Sequence, residues 1–168
     1  MLLLQSQVQF VLSHAHERVQ GPLRVGGYPS LCIGSDQLIP VSALDDKGQP
    51  SHRLANDSKD APIQLLEYSA ESGLGRILRE VCGPALGRLH VQTTFTAHLA
   101  SVLRTLAIDG RGLAWLPATL IDEDIVKGRL VVAASEDWCI DMEIRLYRDR
   151  AVIGSAGEAF WEAASSAV

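Results

Sequence analysis

The run from Thr93 to Val132, TTFTAHLASVLRTLAIDGRGLAWLPATLIDEDIVKGRLVV, restricts the fold more than any other stretch of the chain. It reads as a polar loop, a helix over Ala97–Ile108, an Asp-Gly-Arg-Gly turn, a short buried strand Leu113–Leu116 ending at Pro117, a helix Ala118–Val126 and a strand Leu130–Ala133. Leu99, Val102, Leu103 and Leu106 recur at the spacing that gives a helix one apolar face. Short apolar runs alternating with such helices are the pattern of an α/β sheet covered on its faces.

The same rhythm extends on both sides. Ile63–Tyr68 reads as a strand, followed by a small polar stretch Ser69–Gly73 and an amphipathic helix Gly75–Cys82 that Gly83-Pro84 should stop. Leu89–Thr93 is a second strand, Ile140–Arg148 a longer alternating one, and Glu158–Ala163 a closing helix. Upstream, Leu2–Ser6 looks like the tail of a helix leading into the strand Val8–Leu12, then a Gly/Pro-rich loop. Leu31–Val41, interrupted by Pro40, suits an edge or crossover strand, and Asp45–Asp60 has the turn formers of a surface loop.

Composition narrows the function classes. With 47% hydrophobic and 21% charged residues the chain is globular, and its net charge of -5 carries no basic stripe with which to grip nucleic acid by itself. Cys32, Cys82 and Cys139 are odd in number and widely spaced, which argues against a disulfide framework or zinc site and for a reducing cytoplasm. The start, MLLLQSQVQFVLS, has no basic n-region and is too short to span a bilayer, so no membrane association is expected.

The order of segments now carries a resemblance. QFVLSHAH near the start, YSAESGLGRIL, then TTFTAHLASVLRTLAIDGRGLAWLP, KGRLVV, MEIRLYR and GEAFWEA together resemble the effector-binding domain of the LysR-type transcriptional regulators. Asp109–Pro117 is similar to that family's G-x-G-I-A-x-L-P segment, and Lys127–Leu130 to its x-G-x-L. The Phe95 loop, the Trp115-Leu116-Pro117 strand and the Phe160-Trp161 end are most similar to the hypochlorite-responsive branch, which responds through methionine oxidation; Met1 and Met142 are the methionines of this chain.

The resemblance implies an α/β, type-II periplasmic-binding-protein-like, two-lobed effector domain with its first lobe incomplete. Residues 1–39 and 147–168 would form the partial first lobe and 40–146 the second. The family's winged helix-turn-helix and opening strands have no counterpart, so a C-terminal fragment is expected, with Val8–Leu12 left as an apolar sheet edge. DNA would be a partner only through the missing N-terminal domain, and the intact regulator would be a homo-oligomer.

In open α/β sheets ligands sit beyond the carboxyl ends of the strands, where helix N-termini offer unpaired N–H groups. Tyr68, Ser69 and Ser72 follow one strand, and Thr94, Phe95 and Thr96 the next, each group before a helix. Hydroxyls and free amides there favour an anion or a carboxylate-bearing metabolite, although helix capping alone accounts for Ser69, Ser72, Thr94 and Thr96 as well. Phe95 would be an apolar wall, and Ser13 and His14 would face the interlobe cleft from the first lobe. The expected effector-binding residues are therefore Ser13, His14, Ser69, Ser72, Thr94, Phe95 and Thr96. His98, early in its helix, is either a cleft group or a solvent-facing one.

Other constellations read blandly. His14 and His16 share a strand face but have no third metal ligand nearby. Asp122-Glu123-Asp124 and Glu136-Asp137 read as a solvated charged face, and Trp115 and Trp161 as packing aromatics. Gly110-Arg111-Gly112 lacks phosphate-loop spacing and reads as the end of a helix. No nucleophile–base pair or metal triad emerges, so neither catalysis, a metal nor a cofactor is expected; a free-standing small-ligand-binding protein of the same fold is the alternative.

Overall fold

The computed structural model describes residues 2–55 and 61–168. The loop expected over Asp45–Asp60 is seen as a tight turn closed by a Leu44–Pro50 bridge, and its residues 56–60 lie outside the described residues. The chain forms two units, one of Met1–Asp36 with Met142–Val168 and one of Gln37–Asp141.

The larger unit holds the mixed α/β core. The second half of β2 (Ser30–Ser42) pairs antiparallel with β5 (Ala114–Pro117) and, at Val41 and Ser42, with β6 (Val131–Val132). All four residues of β5 are buried, as the unbroken apolar run AWLP requires. β3 (Ile63–Tyr68) and β4 (Val91–Ala97) form a parallel pair, the arrangement that needs a helical crossover, and α2 (Gly73–Leu86) supplies it. α3 (Ala100–Ile108) packs on β3 and β5 and α4 (Ala118–Val126) on β5, with Leu103 and Ile121 buried on the helices and Leu65, Leu66 and Leu116 on the strands.

Both glycine turns of the Thr93–Val132 run end helices by the same device. Gly110 has φ +76°, its N–H reaches the Ala107 carbonyl and that of Arg111 the Leu106 carbonyl. Gly128 has φ +66°, with Gly128 N–H on the Ile125 carbonyl and Arg129 N–H on Asp124. These are paired 5→2 and 6→1 closures, and the left-handed residue in each is the glycine such a closure favours.

In the smaller unit β1 (Phe10–Ala15) pairs antiparallel with β7 (Ile140–Arg148), from Phe10↔Arg148 to Ala15↔Glu143. β1 has no second strand partner among the described residues, and Leu12 on it is 61% exposed. One face carries Val11 and Tyr147, packed with Leu3, Leu23 and Tyr28; α1 (Pro22–Val25) lies where only a loop was expected. On α5 (Gly154–Ser166), Trp161 stacks on Phe10 and Phe160 meets the same ring edge-on, and Arg148 pairs with Glu158 through two bonds of 2.7 and 2.8 Å. Leu2–Gln7 is a hydrogen-bonded turn and not a helix, although its bonds (Gln7 N–H to Leu2, Ser6 N–H to Leu3) have the pattern that ends one.

Three boundaries differ, and one expected break is absent. α2 runs through Pro84 to Leu86; Pro84 removes only the bond to the exposed Glu80 carbonyl, which water can replace, while Ile77, Leu78 and Cys82 hold the helix on its buried side. β2 is likewise not broken by Pro40. β4 extends to Ala97, so Thr94, Phe95 and Thr96 belong to a strand and not to a loop, and α3 starts three residues later than the periodicity suggested.

Candidate functional site

The carboxyl ends of β3 and β4 lie side by side. Ser69 N–H donates to the Ala97 carbonyl at 2.9 Å, and Ser69 Oγ is 3.3 Å from His98 Nδ1. His98 sits in the bend between β4 and α3, before the helix and not within it. α3 has no side-chain cap: its N-cap is Leu99, itself 57% exposed. The first amides of α3 are thus open donors at the positive end of the helix dipole. Arg79, absent from the expected set, donates to the Ala70 carbonyl at 3.0 Å and brings a guanidinium to the same loop. Seven residues separate it from Ser72, two helical turns, so helical periodicity was the signal that places them on one face.

Ser72 has a different duty. It is 4% exposed, and its Oγ accepts the Gly75 N–H at 3.2 Å, capping α2. Gly75 is needed because a Cβ there would come 2.6 Å from the Tyr68 Cβ.

Thr94 occupies a β-bulge. Leu65 pairs with Thr93 but Leu66 with Phe95, leaving Thr94 as the extra residue, and its hydroxyl donates to the Leu65 carbonyl at 3.3 Å. Thr94 and Phe95 line an open hollow of about 470 Å³ with Leu106, Asp109 and Arg111. Arg111 and Asp109 form an exposed pair at 2.9 Å. Thr96 is exposed and pairs with Glu67. The five expected residues of the larger unit therefore divide: Ser69 joins His98, Ser72 caps a helix, Thr94 and Phe95 line a hollow with the α3–β5 turn, and Thr96 is exposed on β4 opposite Glu67.

In the smaller unit, His14 Nε2 is 2.8 Å from Asp36 Oδ2, whose side chain is fully buried, and Ser13 Oγ donates to the His14 carbonyl. Nothing in the sequence around Asp36, mid-strand, announces that carboxylate. His16 does not join His14: its Nδ1 accepts the Arg18 N–H at 3.1 Å. Among the described residues no group of three or more His, Cys, Asp or Glu is placed to hold a metal.

The acidic run also divides. Asp122 and Glu123 are exposed as expected, but Asp124 has no exposed side-chain surface. Arg104 grips it through Nε at 2.6 Å and Nη2 at 2.8 Å, and Arg129 Nε reaches it at 2.7 Å. The Arg104 hydrogen bonds, and then those of Arg129, hold its carboxyl below the usual carboxylate range against the opposing effect of burial. Trp115 is fully buried and stands edge-on to Trp138 at 6.2 Å.

Ser69 beside His98 has the beginnings of a nucleophile–base pair, but no carboxylate orients His98 among the described hydrogen bonds, and both groups are open to solvent. The group presents a hydroxyl, an imidazole and the first amides of α3 to solvent. Among the described residues no helix is long and apolar enough to cross a membrane.

Comparison with known proteins gives a consistent result. A family model described as the LysR substrate binding domain matches residues 19–168. The HTH-type transcriptional regulator YjiE of Escherichia coli K12 is 32% identical over 125 residues, 74% of this chain and 40% of that protein. The HTH domain-truncated transcriptional regulator QseD of Escherichia coli O157:H7 is 31% identical over 125 residues, 74% of this chain and 50% of that protein. The regulatory domain of HypT from Salmonella typhimurium superposes with a TM-score of 0.80 at 27% identity, covering 98% of this chain and 75% of that one. Full-length HypT, described as a hypochlorite-specific LysR-type transcriptional regulator, gives 0.78 at 28% identity, over 96% of this chain and 52% of its own. The chain spans about half the length of the curated relatives it matches.

Proposed function

The chain belongs to the LysR substrate-binding-domain family, and on that premise we propose that it is the effector-sensing part of a LysR-type transcriptional regulator. Its mixed α/β fold is the periplasmic-binding-protein-like fold of these domains, which are regulatory and not catalytic. On this reading the two units are the two lobes, the setting is the cytoplasm, and DNA is read by a helix-turn-helix segment as in the relatives named for one. The intact regulator is a homo-oligomer, for which light scattering is the measurement.

The observation that carries the reading is the group at the strand ends: Ser69, His98, the open N-terminus of α3 and Arg79. Together they present donors and positive potential to a small anion. Within the larger unit Thr94, Phe95 and Thr96 are proposed as the apolar and hydroxyl wall along β4; in the smaller unit, taken by itself, Ser13 and His14 are the proposed effector contacts. The ligand acts by population shift, so it must bind one arrangement of the regulator better than another.

Between a bound metabolite and direct oxidation, burial favours the metabolite. Met142 is 4% exposed, and burial, with Glu136 and Asp141 nearby, pushes the Cys139 thiol up and away from the reactive thiolate. A thermal-shift screen of carboxylate and phosphate metabolites tests the site. A hit whose shift disappears in Ser69→Ala and His98→Asn but persists in Ser72→Ala sustains it. Hits indifferent to Ser69 and His98, or hypochlorite oxidising Met142 in the folded chain as fast as an exposed methionine, count against it.

One observation favours a second reading, ligand binding without a DNA-reading segment: one of the two E. coli relatives is named as HTH domain-truncated. Ligand binding that changes no promoter occupancy in the cell would select it.

A further inference from the structure

One cavity of about 290 Å³ is lined wholly by residues of the smaller unit, among them His16 and Glu17 just past β1, Arg24 of α1, Tyr28, and Arg145 and Tyr147 of β7. It owes nothing to the strand-end group of the larger unit. Its two guanidiniums are fixed by protein acceptors. Arg24 Nη1 donates to the Glu17 carbonyl at 2.9 Å and makes no ion pair among the described residues. Arg145 Nε donates to Ser30 Oγ at 3.1 Å, and its Nη1 to Glu143 Oε2 at 2.6 Å. A guanidinium has five N–H donors, so most of each fork is still open.

The aromatic walls are fixed too. The Arg150 guanidinium lies 4.5 Å from the centre of the Tyr28 ring while its Nη1 donates to the Gly26 carbonyl at 2.9 Å. A Cβ at Gly26 would come 2.8 Å from Tyr28 Cε2, so the ring lies directly on that glycine. Tyr147 is 6% exposed, in the cluster with Leu3 and Leu23. Pre-positioned forks beside rigid aromatic faces, in a hollow near the lower end of small-ligand volumes, are the features of a small-molecule site.

Charge sets the ligand class. Glu17 and Glu143 line the cavity with Arg24 and Arg145, so the wall is neutral overall and a single negative charge is better matched than a dianion. We propose that this cavity binds a small organic monocarboxylate, its carboxylate held by Arg24 and Arg145 and its apolar body against Tyr28 and Tyr147. The site lies beyond the effector reading above and stands or falls independently of it.

The probe is phenylacetate, titrated into the full chain and followed by heteronuclear NMR. Saturable shifts confined to residues around Arg24, Tyr28 and Arg145 are expected, with phenylacetamide, which lacks the charge, at least tenfold weaker. Arg24→Gln, an exposed side chain whose loss leaves the thermal transition in place, should weaken phenylacetate at least tenfold. Arg145→Lys, which keeps the charge and loses the fork, should weaken it as well. The assignment is overturned if wild type shows no saturable shift, if the amide binds as tightly as the acid, if Arg24→Gln leaves the affinity unchanged, or if inorganic phosphate binds more tightly than phenylacetate. Ser69→Ala should leave these shifts untouched, which separates this site from the strand-end one.

Discussion

The phenol of Tyr68 donates to the backbone carbonyl of Trp115 at 2.8 Å. The backbone of Leu113 bonds β3 at Gln64 and Leu66, and the carbonyl of Trp115, two residues on, faces the same side, where the Tyr68 side chain of β3 supplies the donor. Tyr68→Phe removes that donor and leaves a buried carbonyl short of a partner, at a cost of about 1–2 kcal/mol measured by urea denaturation. Burial also raises the Tyr68 pKa well above its ordinary value. Above about pH 10 the unfolded state therefore loses a proton that the folded state keeps, and stability falls as pH rises. Tyr68→Phe should flatten that alkaline slope.

Asp124 is a buried carboxylate whose removal leaves two arginines without their acceptor. Asp124→Ala should cost about 3 kcal/mol or more, because breaking a buried pair strands its partners. The sign with pH follows from its lowered pKa. Its contribution is present above the unfolded carboxylate value near about 4 and is lost as pH falls through the lower folded value. The thermal stabilities of wild type and Asp124→Ala should therefore converge below that range; a constant gap down to pH 2 would contradict the assignment.

Ser69 and Ser72 are separated by three positions and by role. Ser72→Ala loses a cap and should lower stability by about 1 kcal/mol without touching ligand affinity. Ser69→Ala should do the reverse. Calorimetry on both variants reads stability and affinity together, and equal losses of stability would reduce both serines to structural roles.

Gly112 lies against β3: a Cβ there would come 2.9 Å from the Gln64 carbonyl oxygen and 3.1 Å from Leu66 Cγ. Gly110, two residues earlier in the turn, has open space but a positive φ. Gly112→Ala should therefore cost about 1–3 kcal/mol by overpacking, whereas Gly110→Ala should cost about 1–2 kcal/mol by left-handed strain. A chemical-denaturation pair distinguishes them: Gly110→Asn should recover part of the loss, Gly112→Asn none.

Periodicity made α3, α4 and β7 legible, since their apolar residues recur at one spacing and their turns carry glycine. The helix-ending role of Gly110 was legible for the same reason. The Thr93–Thr96 stretch was harder. Its hydroxyls resemble a loop, yet β-branched and aromatic residues favour a strand, and an exposed strand has no apolar alternation to betray it. Asp124 looked like its exposed neighbours because the arginine that buries it, Arg104, is 20 residues away on another helix. His14–Asp36 was hidden similarly, across 22 residues, whereas Arg79 left only its two-turn spacing from Ser72 as a signal, its polar partners being backbone carbonyls.

The bulge at Thr94 makes β4 change step. Before it Thr93 faces with Leu65, and after it Phe95 faces with Leu66, so residues two apart look to opposite sides. A strand with such a half-period slip is two short messages written out of phase. Deleting Thr94 would restore an unbroken alternation while Phe95, Thr96 and Ala97 kept their partners Leu66, Glu67 and Tyr68, so β4 can lose a residue at this step without changing which side those three face.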